Sequence, residues 1–310
     1  MKIFVAGHRG LVGSAIVREI EADGDHIWIG RTRQELNLLN REQVFEQLEN
    51  ASPDALVIAA AKVGGILANS THPVEFLSEN IQIQTNLLDA AHILGIKKVV
   101  FLGSSCIYPK DCPQPIREEY LLTGPLEVTN EAYAIAKISG VKLVDAYNRQ
   151  YGHQWVSLMP TNLYGPNDNF DAYNSHVLPA LIRKFNEAVD AGAQDITLWG
   201  DGSPLREFLH SDDLASAVLL VLNSASASGL INVGSGNEIS IHDLAQHIAG
   251  LTGFDGQITW DTHKPNGTMR KILDSSKMRN LGWEPKIDLV TGLRETNRAF
   301  LAKRENRADI

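Results

Sequence analysis

Tyr133 and Lys137, four residues apart, are the side chains whose types and spacing point most directly to chemistry. On a helix, positions i and i+4 share a face, so a phenol and an ammonium can serve one site. A nearby positive charge favours phenolate, and is expected to draw the Tyr133 pKa below its ordinary value near ~10. Such a pair can exchange a proton with a carbonyl or alcohol oxygen while hydride moves at the carbon. Ser104 and Ser105 follow an apolar run, where a hydroxyl can hold the same oxygen. The second signal is the glycine loop Gly7-His8-Arg9-Gly10-Leu11-Val12-Gly13. Glycines let the backbone turn tightly and approach a pyrophosphate, and a helix N-terminus adds amides and a favourable dipole. The spacing is GxxGxxG rather than GxGxxG. Its place, after an apolar run at the chain start and before a helical pattern, gives it weight.

A third signal selects the dinucleotide. The second apolar run ends in Gly30-Arg31-Thr32-Arg33, with no carboxylate before Glu35. Asp or Glu at that point would hold a ribose 2′-hydroxyl but repel a 2′-phosphate, which guanidinium groups bind by paired charge-assisted hydrogen bonds. Arg33, with Arg31 and Arg9 as further candidates, therefore favours NADP(H). The competing reading is that these arginines are surface charges only.

Positioning these groups requires alternating strands and helices. Buried strands are expected over residues 3–6, 26–30, 55–60, 99–103 and 155–159, with amphipathic helices over 11–22, 41–49, 73–94 and 130–151 between them. That order predicts an α/β fold: a doubly wound parallel sheet covered by helices on both faces, with right-handed crossovers. From Pro160 a turn-rich stretch runs to Asn169, as where a chain leaves one lobe for another. Helices near 175–191, 212–223, 241–251 and 290–301 and a strand near 196–199 follow. Asn174 and Ser175 are residue types that cap a helix start. The stretch 303–307 reads as a solvated tail.

Composition narrows the function classes. A chain of 310 residues can bury a core and form two lobes, and 44% hydrophobic with 21% charged residues is ordinary for a soluble globular protein. Net charge of -9 gives no basic footprint for nucleic acid, although local Arg and Lys clusters can still bind anions. Two cysteines, Cys106 and Cys112, make no disulfide framework and suit a reducing cytoplasm. The N-terminus reads as a strand rather than a signal peptide, and no apolar run reaches the ~20 residues of a membrane span.

Many segments in order resemble the extended short-chain dehydrogenase/reductase family, which modifies nucleotide sugars. They are GHRGLVGSAI from Gly7, RTRQELNLL from Arg31, AAAKVGGILAN from Ala59, GSSCIYPK from Gly103 and TNEAYAIAKISG from Thr129. MPTNLYGPNDNF from Met159, NSHVLPALIRKF from Asn174, REFLHSDDLA from Arg206 and KPNGTMRK from Lys264 complete the likeness over nearly the whole chain. The resemblance implies a Rossmann-type NADP-binding domain, 1–165 with 208–235, and a smaller C-terminal α/β substrate domain, 166–207 with 236–310.

It further implies an NADP(H)-dependent enzyme acting on a GDP-linked 4-keto-6-deoxy sugar, with C3 and C5 inverted before C4 is reduced. By the same resemblance Cys106 and His176 are the acid–base pair of the epimerisations, while Ser104, Tyr133 and Lys137 serve the reduction. Read alone, Cys106 is a core thiol and His176 an ordinary helix-start residue. The implied cofactor contacts are the loop from Gly7 to Gly13, Arg33, Asn37, Leu38, Leu102, Gly103, Ser104, Ser105, Lys137, Pro160, Thr161, Asn162, Leu163 and His176. Lys184, Trp199 and Arg206 are implied to hold the GDP-sugar, with an ordinary core position the competing reading for Trp199. Relatives commonly carry Asp where this chain has Asn266, so Asn266 is not carried over. His210 is assigned a structural role, and no metal, nucleic acid or membrane partner is expected. A homodimer with a closed two-fold axis is expected from the family. The rivals are a nucleotide-sugar 4-reductase or 4-epimerase, which needs neither Cys106 nor His176, and a non-catalytic NADP sensor, against which intact Tyr133 and Lys137 argue.

Overall fold

The structure, a computed structural model, describes residues 1–171, 175–264 and 266–308. Along the chain run β1 (Lys2–Ala6), α1 (Leu11–Asp23), β2 (Ile27–Ile29), α2 (Arg41–Ala51), β3 (Ala55–Ile58), α3 (Ile66–Thr71), α4 (Pro73–Ile93) and β4 (Lys98–Leu102). Then come α5 (Glu131–Tyr151), β5 (Val156–Pro160), β6 (Asn162–Tyr164), α6 (Val177–Asp190), β7 (Asp195–Trp199), β8 (Leu205–His210), α7 (Ser211–Asn223) and β9 (Gly229–Val233). The chain continues through β10 (Glu238–Ser240), α8 (Ile241–Thr252), β11 (Gln257–Asp261), β12 (Arg270–Lys271), α9 (Ser276–Asn280) and α10 (Leu289–Ala308).

Six strands form one sheet in the order β2-β1-β3-β4-β5-β9, every pairing parallel. Strand side chains alternate between faces. Ile3 and Val5 therefore join a core with Leu214 and Val218 of α7, while Phe4 joins a second core with Leu87 of α4 and Val144 of α5. The expected doubly wound sheet is thus present, with helices on both faces. Because β2 and β3 lie on opposite sides of β1, a crevice opens at the carboxyl ends of β1 and β3, where such folds bind ligands.

The rest of the chain builds a separate core around Leu178, Ile182, Phe185, Leu198, Phe208, Leu244 and Phe300. Strand β8 pairs with β6, β10 and β12, and β7 pairs with β11.

Three expectations need correction. The sixth strand, β9, went unrecognised because Gly229 and Asn232 dilute its apolar pattern; Asn232 is completely buried and accepts the Tyr108 hydroxyl at 2.6 Å. The supposed tail at 303–307 belongs to α10, whose Arg304 pairs with Asp190 of α6. Finally, α6 starts with His176 as its extended cap residue and no side-chain cap bond, and the Ser175 hydroxyl is buried without a partner. Asn174 lies outside the described residues.

Candidate active site

A cleft of about 910 Å³ opens at the carboxyl ends of the sheet strands. Its lining includes every residue from Gly7 to Gly13, together with Arg33, Asn37, Leu38, Leu102, Gly103, Ser104, Ser105, Cys106, Tyr133, Lys137, Pro160, Thr161, Asn162, Leu163 and His176. Residues separated by most of the chain are brought to one wall.

The glycine loop has no room for side chains at its two ends. Gly7 has φ +89°, and a Cβ there would sit 2.7 Å from the Ala60 amide nitrogen at the end of β3. A Cβ on Gly13 would lie 2.1 Å from the Gly7 carbonyl oxygen. The backbone can therefore lie flat under a ligand, and α1 begins at Gly10 with no side-chain cap over its first amides. That arrangement suits an anion. At the far end of the crevice, Arg31 is tied by its Nε to Gln47 at 2.9 Å, whereas Arg9 and Arg33 are exposed. The Glu35 carboxylate accepts the Thr32 amide at 2.7 Å, which holds its pKa down and keeps it off the cleft wall. Open amides plus free guanidinium groups fit a dinucleotide carrying an extra phosphate.

The reactive wall is built where β4 ends. Ser104 is extended, and its Oγ accepts the Cys106 amide at 3.3 Å to start one turn of 3-10 helix over Ser105–Ile107. That turn brings Cys106, only 7% exposed, to the wall. From the neighbouring helix, Tyr133 and Lys137 reach the same wall. Gln84 of α4 fixes the register of α5 by donating to the Ala136 carbonyl at 2.6 Å and to Ser139 Oγ at 2.8 Å.

The electrostatics overturn one expectation. Lys137 Nζ donates to the Leu102 carbonyl at 2.8 Å and stands 5.8 Å from the Tyr133 ring centre, so it does not bond the phenol. Burial raises the Tyr133 pKa above the ordinary range, and the neighbouring Cys106 adds to it. Burial also pulls Lys137 down to about 8. Desolvation here outweighs the charge attraction that spacing alone suggests. The Cys106 thiol is pushed up by burial, opposed by Lys271, the Ser104 hydroxyl and Lys137. His176 opens onto the cleft, but the surrounding protein lowers its pKa, so its imidazole is neutral at pH 7.

Lys184, Trp199 and Arg206 do not line this cleft. Lys184 Nζ donates to the Thr197 carbonyl, and Arg206 to the Leu205 carbonyl at 2.8 Å. Trp199 is 65% exposed with Lys264 Nζ 5.4 Å above its ring, so it is not a core residue. The Asn266 side chain accepts the Asp201 amide at 2.9 Å, tying its segment to the loop after β7. His210 is buried and caps α7 through Nδ1, as its structural assignment expects.

Sequence reasoning missed Asp168 and Lys271, both on the cleft wall. Asp168 Oδ2 is buried without a partner, and burial raises its carboxyl to about 7. Lys271 was visible only inside the KPNGTMRK segment; nothing local marked it as facing Cys106.

Fold and cleft together define a dinucleotide-dependent enzyme of the doubly wound α/β class. The sequence profile of the NAD dependent epimerase/dehydratase family matches residues 3–234, and the chain belongs to that family. The chain is 55% identical to a putative GDP-L-fucose synthase 2 of Arabidopsis thaliana over 97% of its length and 92% of the relative's. It is 49% identical to the GDP-L-fucose synthase of Escherichia coli strain K12, covering 98% of each. A GDP-L-fucose synthetase of Naegleria fowleri solved with NADP superposes with a TM-score of 0.90 at 29% identity, over 98% of this chain and 95% of that one.

Proposed function

We propose that this protein converts GDP-4-keto-6-deoxy-D-mannose to GDP-L-fucose, inverting C3 and C5 and then reducing C4 with NADPH. The observation that carries this reading is that Cys106 and His176 share one cleft with Ser104, Tyr133 and Lys137. A reductase or 4-epimerase working by hydride alone has no use for the first two. The C4 carbonyl acidifies the hydrogens at C3 and C5, so a base can remove each to give an enolate. Reprotonation from the opposite face inverts the centre, which demands an acid and a base across the ring. Cys106 and neutral His176 supply that pair. Ser104 and Tyr133, kept protonated by burial, donate to O4 as negative charge develops there.

Bound in the cleft, NADPH supplies the hydride for C4. The loop from Gly7 to Gly13 would hold its pyrophosphate, Arg33 and Arg9 its 2′-phosphate, and Leu102–Ser105 with Pro160–Leu163 the nicotinamide end. Tyr133 protonates O4 in that last step, with the Lys137 ammonium, anchored on Leu102, on the same wall 5.8 Å from the Tyr133 ring centre. Lys184, Trp199 and Arg206, outside the cofactor cleft, would contact the GDP moiety or the sugar from the substrate domain, 166–207 with 236–310, against the NADP domain, 1–165 with 208–235. The same reading places the enzyme in the cytoplasm as a homodimer. Among the described residues no helix is long and apolar enough to cross a membrane.

The test is solvent-deuterium incorporation. Incubated in deuterated water without cofactor, the 4-keto sugar nucleotide should gain deuterium at C3 and C5; adding NADPH should then yield GDP-L-fucose. Absence of exchange would sink the epimerase half of the reading and leave a simple reductase.

A further inference from the structure

Cys106 does not face the cleft alone. A second, smaller cavity of about 50 Å³ lies behind it, and Cys106, Asn130 and Lys271 line both spaces. These three residues form the partition, so the Lys271 side chain comes to the same partition as the thiol.

Backbone pairing on two sides sets that position. Lys271 of β12 is in register with Arg206 of β8. On the other side, the Ile272 amide donates to Gln114 Oε1 at 2.9 Å, and the Ile116 amide to the Ile272 carbonyl at 2.8 Å. Alternation along the strand sends Arg270 to Glu238 at 2.9 Å, so Lys271 points the other way, towards the cleft.

The other charged groups around the thiol are already engaged. Lys137 bonds the Leu102 carbonyl, Lys110 pairs with Glu127 at 3.1 Å, and Arg206 bonds the Leu205 carbonyl. Tyr133 and Cys112 are neutral, as is His176 from the start of α6. Among the described residues, the Lys271 side chain makes no hydrogen bond or ion pair; burial lowers its pKa, and the neighbouring Cys106 is the strongest influence opposing that.

We propose that Lys271 is a positioning residue for Cys106, its unpaired ammonium holding the thiolate form that the epimerisation chemistry needs. The inference rests on the function proposed above. In one inversion neutral His176 takes the carbon proton, leaving an enolate on O4, and Cys106 S–H protonates the carbon from the opposite face, so that an imidazolium and a thiolate remain. In the other inversion the thiolate, held against the Lys271 charge, takes the carbon proton to re-form S–H, and the imidazolium returns a proton from its own face. Lys271 also gives the largest electrostatic opposition to the burial that raises the thiol pKa, ahead of Lys137.

The experiment uses the full chain carrying Cys112→Ser, so that iodoacetamide reports Cys106 only. Alkylation rate is followed against pH, without substrate, for Lys271 itself and for Lys271→Gln, Lys271→Met and Lys271→Arg. An opposite charge within reach moves a pKa by ~1–3 units, so both neutral variants should shift the midpoint upward and react about tenfold or more slower at pH 8. Lys271→Arg should restore most of the rate. Deuterium exchange into the 4-keto substrate should fall in parallel, while NADPH binding stays intact and certifies folding. An unchanged alkylation midpoint overturns the proposal; a raised KM with that midpoint unchanged assigns Lys271 to the sugar diphosphate instead. No exchange in the parent protein would instead overturn the proposed function, whatever the alkylation profile.

Discussion

At the scale of single residues, burial decides which protons are held. Tyr133 stays protonated and His176 stays neutral, while Lys137 titrates near 8. These states suit a donor to O4 and a base at the ring, beside a lysine that still carries its charge at pH 7. Replacing Tyr133 by Phe should lower NADPH-dependent reduction by ~10²–10⁴-fold, the usual worth of a positioned acid. NADPH affinity, followed by fluorescence titration, should hardly change; unaltered turnover would remove Tyr133 from the mechanism. The spacing of Tyr133 and Lys137 was legible in the sequence, but the direction of the Tyr133 shift was not. Spacing reports who shares a helix face and says nothing of how much water is excluded there.

At the scale of elements, the loop from β1 to α1 and the end of β2 divide the recognition of a dinucleotide. The first offers backbone amides, which any pyrophosphate can use. The second offers guanidinium groups that only a 2′-phosphate needs. Arg33→Ala should therefore weaken NADPH binding about tenfold to a hundredfold, the range of one or two charge-assisted hydrogen bonds, and leave NADH nearly untouched. Arg31→Ala should matter less, because Arg31 is engaged with Gln47 and the Gly30 carbonyl. Titrating both cofactors against both variants checks the pair of expectations, and equal losses for NADPH and NADH would contradict them. Most of these elements could be read from the alternation of apolar runs. β9 and β12 could not, since their residues gain partners only when distant segments arrive.

For the whole molecule, one buried carboxylate helps to join the sheet to the smaller lobe. Glu207 of β8 is completely buried; it accepts the Gly236 amide at 2.7 Å and the Leu273 amide at 3.0 Å. Its own carbonyl receives the Thr161 hydroxyl and the Asn162 amide group. Losing the side chain strands two amides, each costing ~1–3 kcal/mol when buried and unpaired. Glu207→Ala should thus lower unfolding stability by about 2–5 kcal/mol in urea titrations, and a change below ~0.5 kcal/mol would show that water replaces the carboxylate.

The amino-acid sequence by itself determined what short-range pattern can carry: the glycine loop, the absence of an acid after β2, the Tyr133–Lys137 face and the succession of strands and helices in the sheet. Each depends on residues within a turn or two of one another. The tertiary structure alone decided that His176 meets Cys106 in one cleft, that Lys271 stands at the same partition, and that Trp199 faces outward. It also decided the protonation states, because desolvation and charge proximity depend on which distant segments close over a group. Tyr133 and Lys137 could be found by counting four residues; whether the phenol keeps its proton depends on the walls around it.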